Sequence, residues 1–281
     1  MATPDAAQPQ VIDTRHGKFL ICNPLETVQA ALLRDGGFEH HSIMLTLEVL
    51  RVKPGDIIDV GAHIGTFSVP IGNACRERKV HSFEPQRNVF SHFCANLVVN
   101  RLLNVRACNL AVGVAAPNET ILVPDFNIFE ERYTGSVTLD PDVVARRSEI
   151  RGVAEPATWA REFSSVRIVQ LDDFVPPDPI AFIKVDVEGM ELSVLRSAEK
   201  ILERDRPALY FEAWDLPPFA QSNEQLMQFV RGRDYQIWRV GDDCLAIHRQ
   251  DSRAIGHIHA LTAERVENGS SRPVRPQGAS A

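Results

Sequence analysis

Three groups of residues in this chain have the types and spacing to do chemistry. The first is Asp59-Val60-Gly61-Ala62-His63-Ile64-Gly65-Thr66. A short apolar run, Ile57 to Val60, is broken there by two glycines, which let the backbone turn sharply and a ligand approach closely. The second is Glu84, the acid that ends the next apolar run, Val80–Phe83. The third is Lys184, Asp186 and Glu188 at alternate positions, with Glu191 just beyond and Glu212 ending a later apolar run. An acid at a strand end can accept both hydroxyls of a ribose, so the first two groups suit a nucleotide-type cofactor. The third suits proton handling at a reacting centre, or a metal ligand if one is used.

The glycine turn can be narrowed by elimination. A P-loop needs Lys-Ser/Thr after its last glycine, and no Lys follows Gly65. A dinucleotide loop wants G-x-G-x-x-G, and His63 stands at the middle glycine position. What remains, Asp-x-Gly-x-x-x-Gly, resembles motif I of class I S-adenosylmethionine-dependent methyltransferases. A narrower resemblance follows from Asp59 to Gly65, Ser82-Phe83-Glu84-Pro85, Asn96, Asn100, Leu171-Asp172-Asp173-Phe174 and Ile183-Lys184-Val185-Asp186-Val187-Glu188-Gly189-Met190-Glu191. In order and spacing these resemble the FkbM-type methyltransferases over residues 51–213, more than half of the chain. His63 departs from the family's usual Asn; both can donate a hydrogen bond. The resemblance implies S-adenosyl-L-methionine as cofactor and methyl transfer to a hydroxyl oxygen, often of a sugar, polysaccharide or polyketide-type secondary metabolite.

On this reading the cofactor-binding residues are Asp59, Gly61, His63, Gly65, Thr66, Glu84 and Asn109, the last able to read the adenine amino group or simply to shape a turn. Asp186, nearest the strand end, is the general base. Lys184 keeps it ionised or orients substrate, and Glu188 and Glu212 complete an acidic rim. Two plainer readings stand beside these. Glu188 and Glu191 can serve only as favourable charges at a helix start. Lys184 and Asp186 can form a structural ion pair. No metal site is assigned.

The elements that must position these residues follow from hydrophobic periodicity. From Val52 onward, strands alternate with helices, the mark of a mostly parallel sheet. Strands are expected at 57–60, 80–83, 105–110, 181–187 and 207–213, with helices at 66–76, 86–100, 190–203 and 224–232. A hairpin, Gln236–Val240 and Cys244–His248 about Gly241-Asp242-Asp243, closes the sheet. The sequence thus predicts an α/β fold: a Rossmann-like, seven-stranded, mostly parallel sheet with helices on both faces and a C-terminal antiparallel hairpin. The catalytic domain spans 51–250. Residues 1–50 form an extension with a short strand at 18–22 and helices at 25–33 and 43–50, placed as a cap or lid. Within 113–165, Ile121–Val123 and Ser136–Leu139 are expected to pair as an inserted hairpin. Residues 251–281 read as a partly disordered tail.

Bulk properties bound the rest. The chain has 281 residues, enough for one large domain. A net charge of −7 without a long basic run disfavours a nucleic-acid partner. Five scattered cysteines with no C-x-x-C read as reduced thiols. Neither a secretory leader nor a membrane span is evident, so the expected location is the cytoplasm. Asp215-Leu216-Pro217-Pro218-Phe219 resembles the Asp-Pro-Pro-Tyr/Phe motif of adenine N-methyltransferases. It carries an extra Leu and follows the wrong strand, and a Pro-rich turn is the simpler reading. It motivates a competing function, a nucleic-acid base N-methyltransferase. A third is a non-catalytic binding protein on the same fold, against which the 184–191 charges argue.

Overall fold

The computed structural model describes residues 8–135, 137–138, 162–174, 178–213, 220–267 and 275–276. Its centre is β3 (Asp56–Val60), flanked by β4 (Val80–Phe83) and β5 (Val105–Cys108) on one side. On the other lie β9 (Ile180–Val185) and β10 (Ala208–Glu212), all five strands being parallel. β12 (Asp243–His248) joins β10 antiparallel, and β11 (Tyr235–Val240) joins β12 the same way. This is the expected seven-stranded, mostly parallel sheet with its C-terminal hairpin. A two-residue strand, Arg275–Pro276, adds to the edge beside β11.

Every residue of β3 and β9 is buried, as a strand covered on both faces requires. Side chains alternate between two cores. Ile57, Phe182, Ala208 and Tyr210 face α2 (His40–Val52), α3 (Ser68–Ala74), α4 (Arg87–Val99) and the last helix, Ser252–Glu267. Ile58, Ile183, Leu209 and Phe211 face α5 (Glu191–Arg196), α6 (Glu199–Asp205) and α7 (Ala220–Arg231). The strand order reverses between β3 and β9, the crevice where open α/β sheets bind ligands. The two strands run so close there that a Cβ on Gly61, which has φ +86, would lie 1.8 Å from the Asp186 carbonyl oxygen. Gly61→Ala is therefore expected to lower stability by at least about 2 kcal/mol, seen as an earlier midpoint in chemical denaturation.

Several elements differ from expectation. The single helix expected over 190–203 is two, because Ser197 and Asp172 intervene. The Ser197 hydroxyl donates to Val194 O (2.7 Å), and the Asp172 carboxylate accepts from Lys200 N and Ile201 N, capping α6. β7 (Thr120–Pro124) pairs with β8 (Phe163–Val169), and the two form a separate three-stranded sheet with β6 (Ala111–Val112). Ser136 and Leu139 lie outside the described residues. Ser252–Glu267, read as tail, is a helix whose Ala254 and Ile258 pack into the core beside α2. All five cysteines are free thiols. Among the described residues no helix is long and apolar enough to cross a membrane.

The N-terminal segment is tied to the domain by asparagines. β1 (Gln10–Thr14) and β2 (Gly17–Ile21) form a hairpin ahead of α1 (Thr27–Asp35). Asn96 on α4 accepts from Leu20 N (2.8 Å) and donates to Ile64 O (2.8 Å), so one side chain joins hairpin, helix and glycine turn. Asn100 makes the same kind of two-way bond to the backbone of Lys18.

Candidate active site

A cavity of about 330 Å³ opens at the carboxyl ends of β3, β4 and β9, in the size range of small-molecule sites. It brings together eight of the eleven candidate residues: Gly61, His63, Thr66, Glu84, Lys184, Asp186, Glu188 and Glu212. Asp59, Gly65 and Asn109 are not among its lining residues; they stand behind it, in the contacts that follow. The Asn109 amide donates to the carbonyls of Glu84 (2.8 Å) and Pro85 (3.0 Å), so its nitrogen shapes the Glu84 turn. Gly65 is small because of packing: a Cβ there would lie 2.5 Å from the Phe93 ring. Asp59 stands behind the cavity, accepting from the Ser68 hydroxyl (2.5 Å) at the start of α3.

Glu84 is 3% exposed. One carboxylate oxygen accepts from Gln86 N (2.8 Å) and the other from His63 N (2.9 Å). Burial pushes its pKa up to about 7, against the pull of those two N–H donors. Each oxygen keeps a lone pair for a ligand hydroxyl. His63 holds φ 50, a left-handed turn position that His tolerates better than most residues. Its Nε2 lies 2.9 Å from the Thr134 hydroxyl. Burial pushes its pKa down to about 4, so the ring is neutral near pH 7.

At the other end, Lys184 is 3% exposed. Its Nζ lies 2.9 Å from Asp186 Oδ2 and 3.4 Å from Glu39 Oε1. Burial pulls its pKa down, but the carboxylates of Asp186, Glu39 and Asp59 outweigh that and hold it well above the ordinary lysine value. The Lys184–Asp186 pair is thus real. Glu188 reaches the cavity from a left-handed turn (φ 55) rather than by strand alternation, because β9 stops at Val185. Carboxylate oxygens of Asp186, Glu188 and Glu212 lie within 4.8 Å of one another. Glu191 does not join them. It accepts from Val187 N and Gly189 N and so holds the turn, the plainer of its two readings.

Glu39 was not singled out by the sequence. It precedes α2 in a left-handed conformation (φ 51), lines the cavity and takes a 3.4 Å hydrogen bond from the Thr66 hydroxyl. An acid immediately before a helical run, after Gly36-Gly37, was the available signal. Burial, offset in part by Lys184, pushes its pKa up to about 7.

The cavity suits a cationic, nucleoside-bearing cofactor. Glu84 offers acceptor lone pairs, Phe83, Leu110, Val112 and Ile168 supply an apolar wall, and among the described residues Glu39 and Asp186 outnumber the cation paired with them, Lys184. Residues 59–237 match the model of the Methyltransferase FkbM domain family. A methyltransferase, sdnD, of Sordaria araneosa is 28% identical over 218 residues, which cover 69% of this chain and 82% of that one. The 31-O-demethyl-FK506 methyltransferase FkbM of Streptomyces tacrolimicus is 26% identical over 214 residues, covering 75% and 72%. Among solved structures, a methyltransferase FkbM from Methylobacillus flagellatus aligns with a TM-score of 0.44 at 20% identity. That alignment covers 69% of this chain and 43% of the solved one, less than half of its length.

Proposed function

We propose, for a chain that belongs to the FkbM family of S-adenosyl-L-methionine-dependent methyltransferases, that it methylates a hydroxyl oxygen of a sugar, polysaccharide or secondary metabolite. The observation that carries this reading is that Asp186, held by Lys184 2.9 Å away, shares one cavity with Glu84. A relative named for a 31-O-demethyl acceptor supports oxygen as the receiving atom.

The bound cofactor supplies an activated methyl group on a sulfonium. The protein's task is then alignment and proton removal. Glu84, fixed by two backbone N–H groups, anchors the ribose. Glu39 and Asp186 face the cationic end with surplus negative charge. Asp186 accepts the acceptor's hydroxyl proton as the new C–O bond forms, a role general bases fill for about 10²–10⁴-fold in rate. Lys184, 2.9 Å away, holds the Asp186 carboxylate in place for that step. Holding the reactants in line adds on the order of 7–11 kcal/mol. The test is transfer of an isotopically labelled methyl group onto a panel of polyhydroxylated acceptors, expected to give O-methyl products. Label arriving on nitrogen, or on nucleic acid, would overturn the reading. The nucleic-acid alternative rested on Asp215–Phe219, which lie outside the described residues.

A pH dependence follows from the buried acids. Burial raises Glu39, Glu84 and Glu191 from the ordinary 4.5 to about 7. Between those values the folded chain holds more protons than the unfolded one, so the ligand-free protein loses stability as pH rises through that window. Cofactor binding has the opposite sign, because a cation and ribose hydroxyls favour ionised carboxylates. The rise in melting temperature produced by S-adenosylmethionine is therefore expected to be larger at about pH 7.5 than at about pH 5.5.

A further inference from the structure

Outside the family-matched residues 59–237, the N-terminal segment sends a carboxylate into the same cavity. Glu26 caps α1 with one oxygen: Oε2 accepts from Val28 N (3.1 Å) and Gln29 N (2.9 Å). The other, Oε1, is buried with no hydrogen-bond donor among the described residues. The residue is 0% exposed yet lines the cavity. A cap alone is ordinarily made by a shorter side chain such as Ser or Asp, so the cap does not account for the second oxygen.

Gln86 repeats the pattern. Its Nε2 donates to Thr134 O (2.8 Å), and a carbonyl can only accept, so the amide's orientation is fixed. Its Oε1 is then buried without a donor, and it too lines the cavity. Short links join these groups to Glu84. Gln86 N and His63 N both donate to the Glu84 carboxylate, and His63 Nε2 meets the Thr134 hydroxyl. Burial raises the Glu26 pKa, and the Gln29 and Val28 N–H groups and, last, the nearby Thr134 hydroxyl act against that rise. This wall therefore holds two orphaned acceptors beside a carboxylate with lone pairs to spare. Buried acceptors left unpaired are costly, and a ligand that supplies donors recovers that cost on binding. A ligand carrying two hydroxyls brings the donors that this wall lacks.

We propose that Glu26 and Gln86 join Glu84 in an acceptor cage for the vicinal diol of the cofactor's ribose, which makes the N-terminal segment part of the cofactor site. The inference rests on placing the cofactor in this cavity. Its consequence is selection for ribose over deoxyribose by a residue outside the matched domain.

The experiment is calorimetric titration of S-adenosylhomocysteine and its 2′-deoxy and 3′-deoxy analogues into the wild type, Glu26→Ser, Glu26→Gln and Glu84→Ala. Serine preserves the cap but is too short to reach the cavity; glutamine preserves the length and replaces one oxygen by a donor. Both Glu26 variants are expected to lose about tenfold in affinity for S-adenosylhomocysteine. Both should also discriminate less against at least one deoxy analogue. If they keep wild-type affinity and discrimination while Glu84→Ala loses binding, the inference is overturned and the cofactor's placement stands. If they weaken all three ligands equally, Glu26 acts only as a cap and the inference is again overturned. If Glu84→Ala also binds normally, the placement itself fails.

Discussion

Asp186→Asn is expected to lower the turnover of methyl transfer about 10²–10³-fold while weakening S-adenosylmethionine binding far less, by about tenfold at most, because Glu39 still faces the cofactor's cationic end. The substitution keeps the shape of the side chain and removes its ability to take a proton. Lys184 retains Glu39 at 3.4 Å, so the buried ammonium is not left without a counter-charge, which would itself be costly. Rate should therefore fall through the chemical step, not through collapse of the site. Single-turnover rates measured with saturating cofactor separate the two. Unchanged turnover with an identified acceptor would reduce Lys184–Asp186 to a structural ion pair, and that pair's loss would then appear only in the melting temperature.

Glu84→Ala is expected to weaken S-adenosylmethionine binding at least about a hundredfold. A carboxylate receiving two hydroxyls contributes about 1.5–3 kcal/mol per charge-assisted bond, and each 1.4 kcal/mol is tenfold in affinity. The substitution also orphans His63 N and Gln86 N, which now rest on the Glu84 oxygens. Glu84→Gln separates these effects. Its amide can serve only one of the two N–H groups and carries no charge, so an intermediate loss is expected by calorimetry. Wild-type affinity in the alanine variant would remove the ribose role from Glu84.

Much of the fold was legible because its parallel strands are short, apolar and punctuated. Ile57–Val60 and Val80–Phe83 could be placed from local pattern alone, as could the strand expected over Ala181–Val187 apart from its end, which comes at Val185; Glu84 and Asp186, just past β4 and β9, enter the cavity as strand-end residues should. What local pattern hid depends on distant partners. The helix over 190–203 is broken by Asp172, about 20 residues earlier in the chain, whose carboxylate caps α6. β7 finds a partner in β8, some 40 residues later in the chain. Of the two readings offered for Asn109, base reader or turn former, position alone could not show the second, that its amide nitrogen bonds Glu84 O and Pro85 O. Glu26 and Glu39 were missed for a related reason: each precedes a helix, where an acid has an ordinary explanation, and only the folded chain shows both facing the cavity.

The central claim is that one cavity holds the ribose at Glu84 and presents the transferable methyl group to Asp186. Its most direct test is a crystal structure of the protein soaked with S-adenosylhomocysteine. The expected result is ribose hydroxyls on the Glu84 carboxylate, adenine against Phe83, Leu110 and Val112, and the sulfur facing Asp186 and Lys184. A ligand seated anywhere else, or in this cavity with its ribose away from Glu84, would contradict the account.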